Sequence, residues 1–383
     1  MRVMSRGICG AALIFAAGGA AAQSSVTLYG VADTFVQYLD NGGKHSFSER
    51  SGGSTGSMFG FKGVEDLGGG LKTIFDLETG FNINNGSLFA DTSTLFYRQT
   101  WVGLKHDNYG QLTFGRQYQP SFWAVYFTDP FRGNEVMSLL AAADLAGATD
   151  KSTLATQYIA GRTSNAIMYQ SPDMRGAHLY AMYALASTVT QPLAVRSGNM
   201  LDLAANYSGY GFYAGVGYQF QHGGAETAPL VPGLLTTFNL TATEHFTGAL
   251  AYRLGIVNFQ FNYAYNRSDD VTGQFVNVTP ALKVPMSALV HAYSILGAGA
   301  TIQATPVDVV EFSYIERDVR GVHNNSQGFE LGIDHSLSKR TSLYARAGYI
   351  KNNGSATMSW PGVTGVPAGS KQVLGVVGMT QRF

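Results

Sequence analysis

The stretch IVNFQFNYAYNRS, residues 256–268, decides the fold. Val257, Phe259, Phe261, Tyr263 and Tyr265 alternate with Asn258, Gln260, Asn262 and Asn266. That is the two-residue period of an extended strand with one apolar, aromatic face and one amide-rich face. A half-buried strand in a soluble β-sandwich would show the same alternation, so the pattern alone does not choose between a sandwich and a barrel. Recurrence helps to decide. Segments of the same kind, among them SVTLYGVADTFVQYL, TLFYRQTWVGLKH, FYAGVGYQFQ, VDVVEFSYIERD and KQVLGVVGMTQRF, bring the count to sixteen. Most are near the ~10 residues that, tilted by ~45°, cross the hydrocarbon layer of an outer membrane.

The links between the segments alternate in length. Short ones include DLGGG before Leu71 and the turns at 107–110, 172–176, 208–211 and 337–340; long ones are expected after Asp40, Phe81, Gln117, Ser187, Gln221, Ser268, Asp318 and Lys351. Such a rhythm belongs to a bacterial barrel with one rim of turns and one of loops, and a soluble sandwich has no reason to show it.

Composition narrows the choice further. The chain holds 47 Gly, 21 Tyr and 23 Phe but only 13% charged residues. No stretch beyond Ala22 approaches the ~18 apolar residues of a membrane helix, whereas a closed barrel satisfies its backbone in lipid with only every second residue apolar. Residues 1–22 read as a removed export signal, with Arg2 and Arg6 ahead of an apolar run and small residues at Ala20, Ala21 and Ala22. Without Arg2 and Arg6 the 25 basic residues become 23 against 25 acidic, a balance of −2, which gives no attraction to nucleic acid. The only cysteine, Cys9, falls in the removed segment, so residues 23–383 carry no thiol for a disulfide or a metal site.

The link 117–160 is far longer than the ~12–15 residues usual for a structureless connection. Its middle, NEVMSLLAAADLAG, suits a short helix with Asn134 as cap and Glu135 in the first turn. Inside a wide barrel such a segment could pack on the wall and narrow the bore; an external lid is the alternative. The final Phe383, with Met379 and Val377 on the same face, fits a lipid-facing aromatic girdle, and Thr380 and Arg382 would then look inward.

TLYGVAD at 27–33, GFKGVEDLGGGLKTIFDLETGF at 60–81, GLKHDNYGQLTFGRQY at 103–118 and the terminal Phe383, taken in order and spacing, resemble the Gram-negative general diffusion porins, especially the β-proteobacterial type. The resemblance covers essentially all of 23–383. It implies an all-β fold, a 16-stranded antiparallel transmembrane barrel with an inward-folded third external loop at 117–160. It also implies a homotrimer among outer-membrane lipids, in a Gram-negative bacterium, without a cofactor. Wall arginines would face loop carboxylates across the narrowest point, with Arg98 and Arg162 on the wall and Asp129 and Glu135 on the loop. Two positions depart from the family: Met58 stands where a wall arginine is usual, and Arg132 puts a cation on the acidic side. Asp129 could instead cap a turn before Pro130, and Arg116 points outward unless its strand bulges.

The function implied is passive diffusion of ions and small hydrophilic solutes through a water-filled channel, weakly selective with a slight anion lean from Arg98, Arg132 and Arg162. A substrate-specific channel for sugars or carboxylates is the alternative, on account of Tyr118, Phe122, Trp123, Tyr126 and Phe127. Catalysis is not expected, because the eight histidines are scattered and neither HExxH nor GxSxG occurs. GGGLKT at 68–73 lacks the spacing of a phosphate loop and reads as a tight turn.

Overall fold

The computed structural model describes residues 25–149, 161–188, 195–231, 234–239, 241–279, 281–288 and 291–383. The export segment expected at 1–22 and the end of the long link, 150–160, lie outside the described residues.

Sixteen antiparallel strands close into one ring. They are β1 (Ser25–Asn41), β2 in two halves (Lys44–Ser51 and Met58–Gly68), β3 (Leu71–Gly80), β4 (Gln99–His106), β5 (Gly110–Tyr118), β6 (Arg162–Gln170), β7 (Ala177–Ala184) and β8 (Met200–Gly209). The second half of the ring is β9 (Phe212–Gln221), β10 (Thr243–Leu254), β11 (Val257–Ser268), β12 (Tyr293–Gln303), β13 (Asp308–Val319), β14 (Asn324–Ser336), β15 (Thr341–Asn352) and β16 (Lys371–Arg382). Each strand pairs with its neighbours in sequence, and β1 also pairs with β16 from Val31↔Arg382 to Asn41↔Gln372. The terminal Phe383 exchanges both backbone hydrogen bonds with Gly30, and its ring lies where a Cβ on Gly30 would be. Closure leaves no free sheet edge, the condition for carrying strands through lipid.

Strand β11 behaves as its alternation predicts. Phe259, Phe261 and Tyr263 stand on the outer surface, while Gln260, Asn262 and Asn266 are buried on the inner face. On β16, Val377 and Met379 point outward and Thr380 is enclosed; Arg382 is exposed and donates to the Thr55 hydroxyl.

Two expected long links are short. After Asp40 the chain turns at once through Asn41-Gly42-Gly43, with Gly42 and Gly43 both at positive φ, so Asn41 pairs with Lys44. A Gly-Gly pair, free to take positive φ at both central positions, favours this two-residue hairpin turn. The excursion comes instead at 52–57, where β2 breaks and bends inward between its halves. The link after Asp318 is likewise a tight turn at 320–323. The links after Gln221 and Ser268 are long, and each forms a two-stranded hairpin of its own.

The inner face is not polar throughout. Leu39, Ile295, Ile315, Val319, Ile350, Leu374 and Val376 form an apolar patch on β1, β12, β13, β15 and β16. Against it pack Val136, Met137, Leu139, Leu140, Ala142, Ala143 and Ala146 of the link after β5. Met358 and Trp360, from the link before β16, join the same core. This contact removes apolar surface from water within the barrel, at ~25 cal/mol per Å².

Candidate functional site

The link after β5 runs along the inner wall. It opens with α1 (Pro120–Tyr126), whose proline suits the first turn of a helix. No residue of α1 itself supplies an acidic group to its first turn; Asp202 of β8 does so, accepting from the Ser121 amide at 2.9 Å and the Ser121 hydroxyl at 2.7 Å. A carboxylate there complements the helix dipole. Glycines let the helix approach closely, since a Cβ on Gly215 would lie 2.3 Å from the Ala124 carbonyl oxygen. Beyond α1, Gln260 and Asn262 of β11 donate to the carbonyls of Phe127 and Thr128, both at 3.1 Å. Pro130 packs over Gly299 of β12, and Phe131 meets Gly332 of β14 and Arg346 of β15.

The expected helix in NEVMSLLAAADLAG begins later than its sequence suggests. Asn134 does cap a turn, accepting from the amides of Val136 and Met137 at 2.8 and 2.7 Å. The helix proper is α2 (Leu139–Thr149), and Ser138 caps it through the Ala141 amide at 3.2 Å. Glu135 is therefore left in the turn, free of the helix, and reaches the opposite wall.

There it joins two of the arginines singled out by sequence. Glu135 Oε2 accepts from Arg98 Nη1 at 2.6 Å, and Glu135 Oε1 is ion-paired with Arg162 Nη1. Arg98 Nε is also held by Glu78 Oε1 of β3 at 2.8 Å. Arg162 lies over the Tyr118 ring, 4.2 Å from its centroid, and donates to the Tyr118 hydroxyl. Burial would raise the Glu135 carboxyl, but the guanidinium groups of Arg162 and Arg98 overcome it and hold the pKa at about 2.

Asp129 sits elsewhere. It is 1% exposed, and its oxygens accept from the Ser138 hydroxyl and the amides of Gly133 and Phe131. Its role in the fold is to cap the turn before α2; no wall arginine is among these partners. Burial nonetheless leaves its carboxyl above the usual range, despite those three donors. Arg132, at φ 52°, is exposed beside this turn. Met58 opens the second half of β2, half-buried, with its backbone paired to Val31 and Gly80. The strand carrying Arg116 does bulge, between Gly115 and Gln117, with Gly115 at φ 128°. Arg116 consequently bonds the Tyr97 carbonyl and the Ser164 hydroxyl, and lines a cavity of about 290 Å³ with Arg162.

Sequence reasoning missed three charged groups. Glu78 was visible only as an acid on the same strand parity as Asp76. Arg346 of β15 pairs with Glu311 at 3.2 Å and Asp334 at 2.8 Å, on the side of the ring opposite β4–β6. Asp33 of β1 takes up the 52–57 bend. It accepts from the amides of Gly53, Ser54 and Thr55 and from the hydroxyls of Tyr344 and Thr380. Asn134 then donates to the Gly52 carbonyl at 3.0 Å, which ties the turn holding Glu135 to that bend.

A closed ring of strands, apolar outside and lined within by charges, amides and an in-packed segment, is a membrane-spanning β-barrel channel. The model of the Gram-negative porin family matches residues 10–355, and the chain belongs to that family: it is an outer-membrane channel and not an enzyme. It is 27% identical over 394 residues to outer membrane porin protein 32 of Delftia acidovorans, covering 99% of this chain and all of that one. To an outer membrane porin protein of Bordetella pertussis it is 28% identical, covering 91% and 95% of the two. Among solved structures, the anion-selective porin from Comamonas acidovorans superposes with a TM-score of 0.74 at 25% identity, over 94% of this chain and all of that one.

Proposed function

We propose that the segment 117–160 narrows the bore, and that its passage favours anions slightly over cations while small hydrophilic solutes diffuse through. The observation that supports this is the charge balance of the Arg98–Glu135–Arg162 cluster with Glu78 and the neighbouring Arg116. Arg98, Arg116 and Arg162 contribute +3 and Glu78 and Glu135 −2, leaving +1 in the cluster. Arg116 bonds neutral acceptors, as does Arg50, which donates to Gln37 and to the Pro361 carbonyl. On the opposite wall Glu311 and Asp334 are both paired with Arg346. Field lines focus in a narrow, low-dielectric passage, so even one net cation biases ion entry. The relative described as an anion-selective porin supports the same sign.

In this reading Arg98, Arg162, Arg132 and Glu135 border the passage, Met58 leaves its stretch of wall neutral, and Asp129 holds the turn in place. Residues 1–22 are removed on export, and the barrel assembles as a homotrimer among outer-membrane lipids, as the trimer form of a barrel of the same fold from Vibrio cholerae suggests. Reversal potentials of the purified protein in a planar bilayer under a salt gradient test the selectivity. A modest anion preference is expected, and strong cation preference would refute it. Conductance steps in multiples of three, together with chemical cross-linking, test the trimer.

A further inference from the structure

A second cavity, also about 290 Å³, is lined by residues of β4, β5, β6, β7 and α1. Gln111 and Gln170 place it toward the rim of short turns, since they adjoin the turns at 107–110 and 172–176. Its lining contains no charged side chain. What it offers is flat rings, Trp101, Tyr118 and Trp123, interleaved with the amides of Gln99, Gln111, Gln117 and Gln170.

The amides are held in set directions. Trp101 Nε1 donates to Gln99 Oε1 at 3.2 Å, Gln111 Nε2 to Gln170 Oε1 at 3.0 Å, and the Thr113 hydroxyl to Gln117 Oε1 at 2.6 Å. Gln117 is 2% exposed, yet its Nε2 has no hydrogen-bond partner among the described residues. A buried amide donor left unpaired is costly, so a guest that accepts from it is favoured.

Three ligand classes can be compared. A charged solute would lose hydration without meeting a countercharge. A purely apolar one would leave the Gln117 donor unpaired. An uncharged sugar ring meets both demands, with its C–H faces on the indoles and its hydroxyls on the amides. We propose that this cavity is a binding subsite for a neutral sugar ring, lying on the short-turn side of the Arg98–Glu135–Arg162 cluster. The volume is close to the lower end of ligand pockets, ~300 Å³, which suits one or two sugar units. The subsite rests on the reading of the bore as an open aqueous path and adds a preference along it.

Single-channel recording in KCl with maltose added to one side tests the subsite. A saturable fall in conductance is expected, stronger from the short-turn side. The half-blocking concentration should rise about fivefold in Gln117→Leu, as one neutral hydrogen bond is lost. It should rise at least as much in Trp101→Ala, while Trp101→Phe, which keeps a ring, retains most of the block. Heat-modifiable migration on gels confirms that each variant is a folded barrel. A fall in conductance that follows viscosity alone, equal to that from a polyethylene glycol of the same size, would overturn the proposal. So would equal half-blocking concentrations in the wild type and both loss variants. Absence of any ion current in the wild type would instead overturn the open-path reading on which the subsite rests.

Discussion

Replacing Glu135 by glutamine tests the electrostatics most directly, because it removes one charge while keeping the shape of the side chain. The cluster of Arg98, Arg116, Arg162, Glu78 and Glu135 goes from +1 to +2, and Arg98 and Arg162 lose their shared carboxylate. For an ion passing ~7 Å away, one unit charge contributes ~0.6 kcal/mol at bulk dielectric and about twice that where low-dielectric walls confine the water. Screening in ~0.1 M salt, with a Debye length of ~10 Å, halves these values to ~0.3–0.6 kcal/mol. The effect has opposite signs for anion and cation, so the anion-to-cation permeability ratio should rise about threefold to eightfold, taking RT as ~0.6 kcal/mol. Reversal potentials for wild type and variant under the same KCl gradient give that ratio. An unchanged ratio, or a shift toward cations, would mean that Glu135 is not beside the ion path and would refute the reasoning.

The pH dependence follows from the same carboxyl. Its folded pKa, about 2, is below the ordinary 4.5, so its stabilising contribution is present above the ordinary value and is lost as pH falls through the folded one. The selectivity difference between wild type and Glu135→Gln should therefore persist on acidification from neutrality to well below the usual carboxylate range, and vanish only near the folded pKa. A difference that disappears around the ordinary value would contradict the ion pairs. Asp33→Ala strips five donors of their acceptor and should cost about 3–5 kcal/mol against urea in detergent, with noisier open-channel current. Trp360→Ala empties a fully buried indole site, costing about 3–5 kcal/mol, and frees the last long link, so conductance should rise. Gly215→Val forces a side chain against the Ala124 carbonyl and should displace α1, altering conductance without altering charge.

The ring itself was legible because lipid on one side and water on the other impose a period of two on nearly every strand, as Phe259, Gln260 and Phe261 show. That rule fails where the inner face holds protein instead of water. Ile295 and Ile315 are apolar on the inner parity because they seat α2, and local periodicity has no way to signal a partner so distant in the chain. Gly215, Gly299 and Gly328 mark, on the inner face, the places where the in-packed segment comes closest, with Ala124, Pro130 and Leu139 over them. Each is indistinguishable in sequence from a glycine in a turn. Of the site, Arg98, Arg162 and Glu135 were found through resemblance, whereas Glu78, Arg346 and Asp33 needed the register that brings separate strands together. Asn41-Gly42-Gly43 carried a hairpin signal that the expectation of a long loop overrode.

Asp33 gathers its donors from both ends of the polypeptide, with the 52–57 bend on one side and Tyr344 and Thr380 of the last two strands on the other. This one carboxylate can be fully satisfied only once the first and last strands lie side by side. The turn bearing Glu135 leans on the same bend through Asn134 and Gly52. The seating of the segment after β5 is thus linked to the joining of the cylinder, and a barrel still open along that seam would lack the footing on which the turn bearing Glu135 rests.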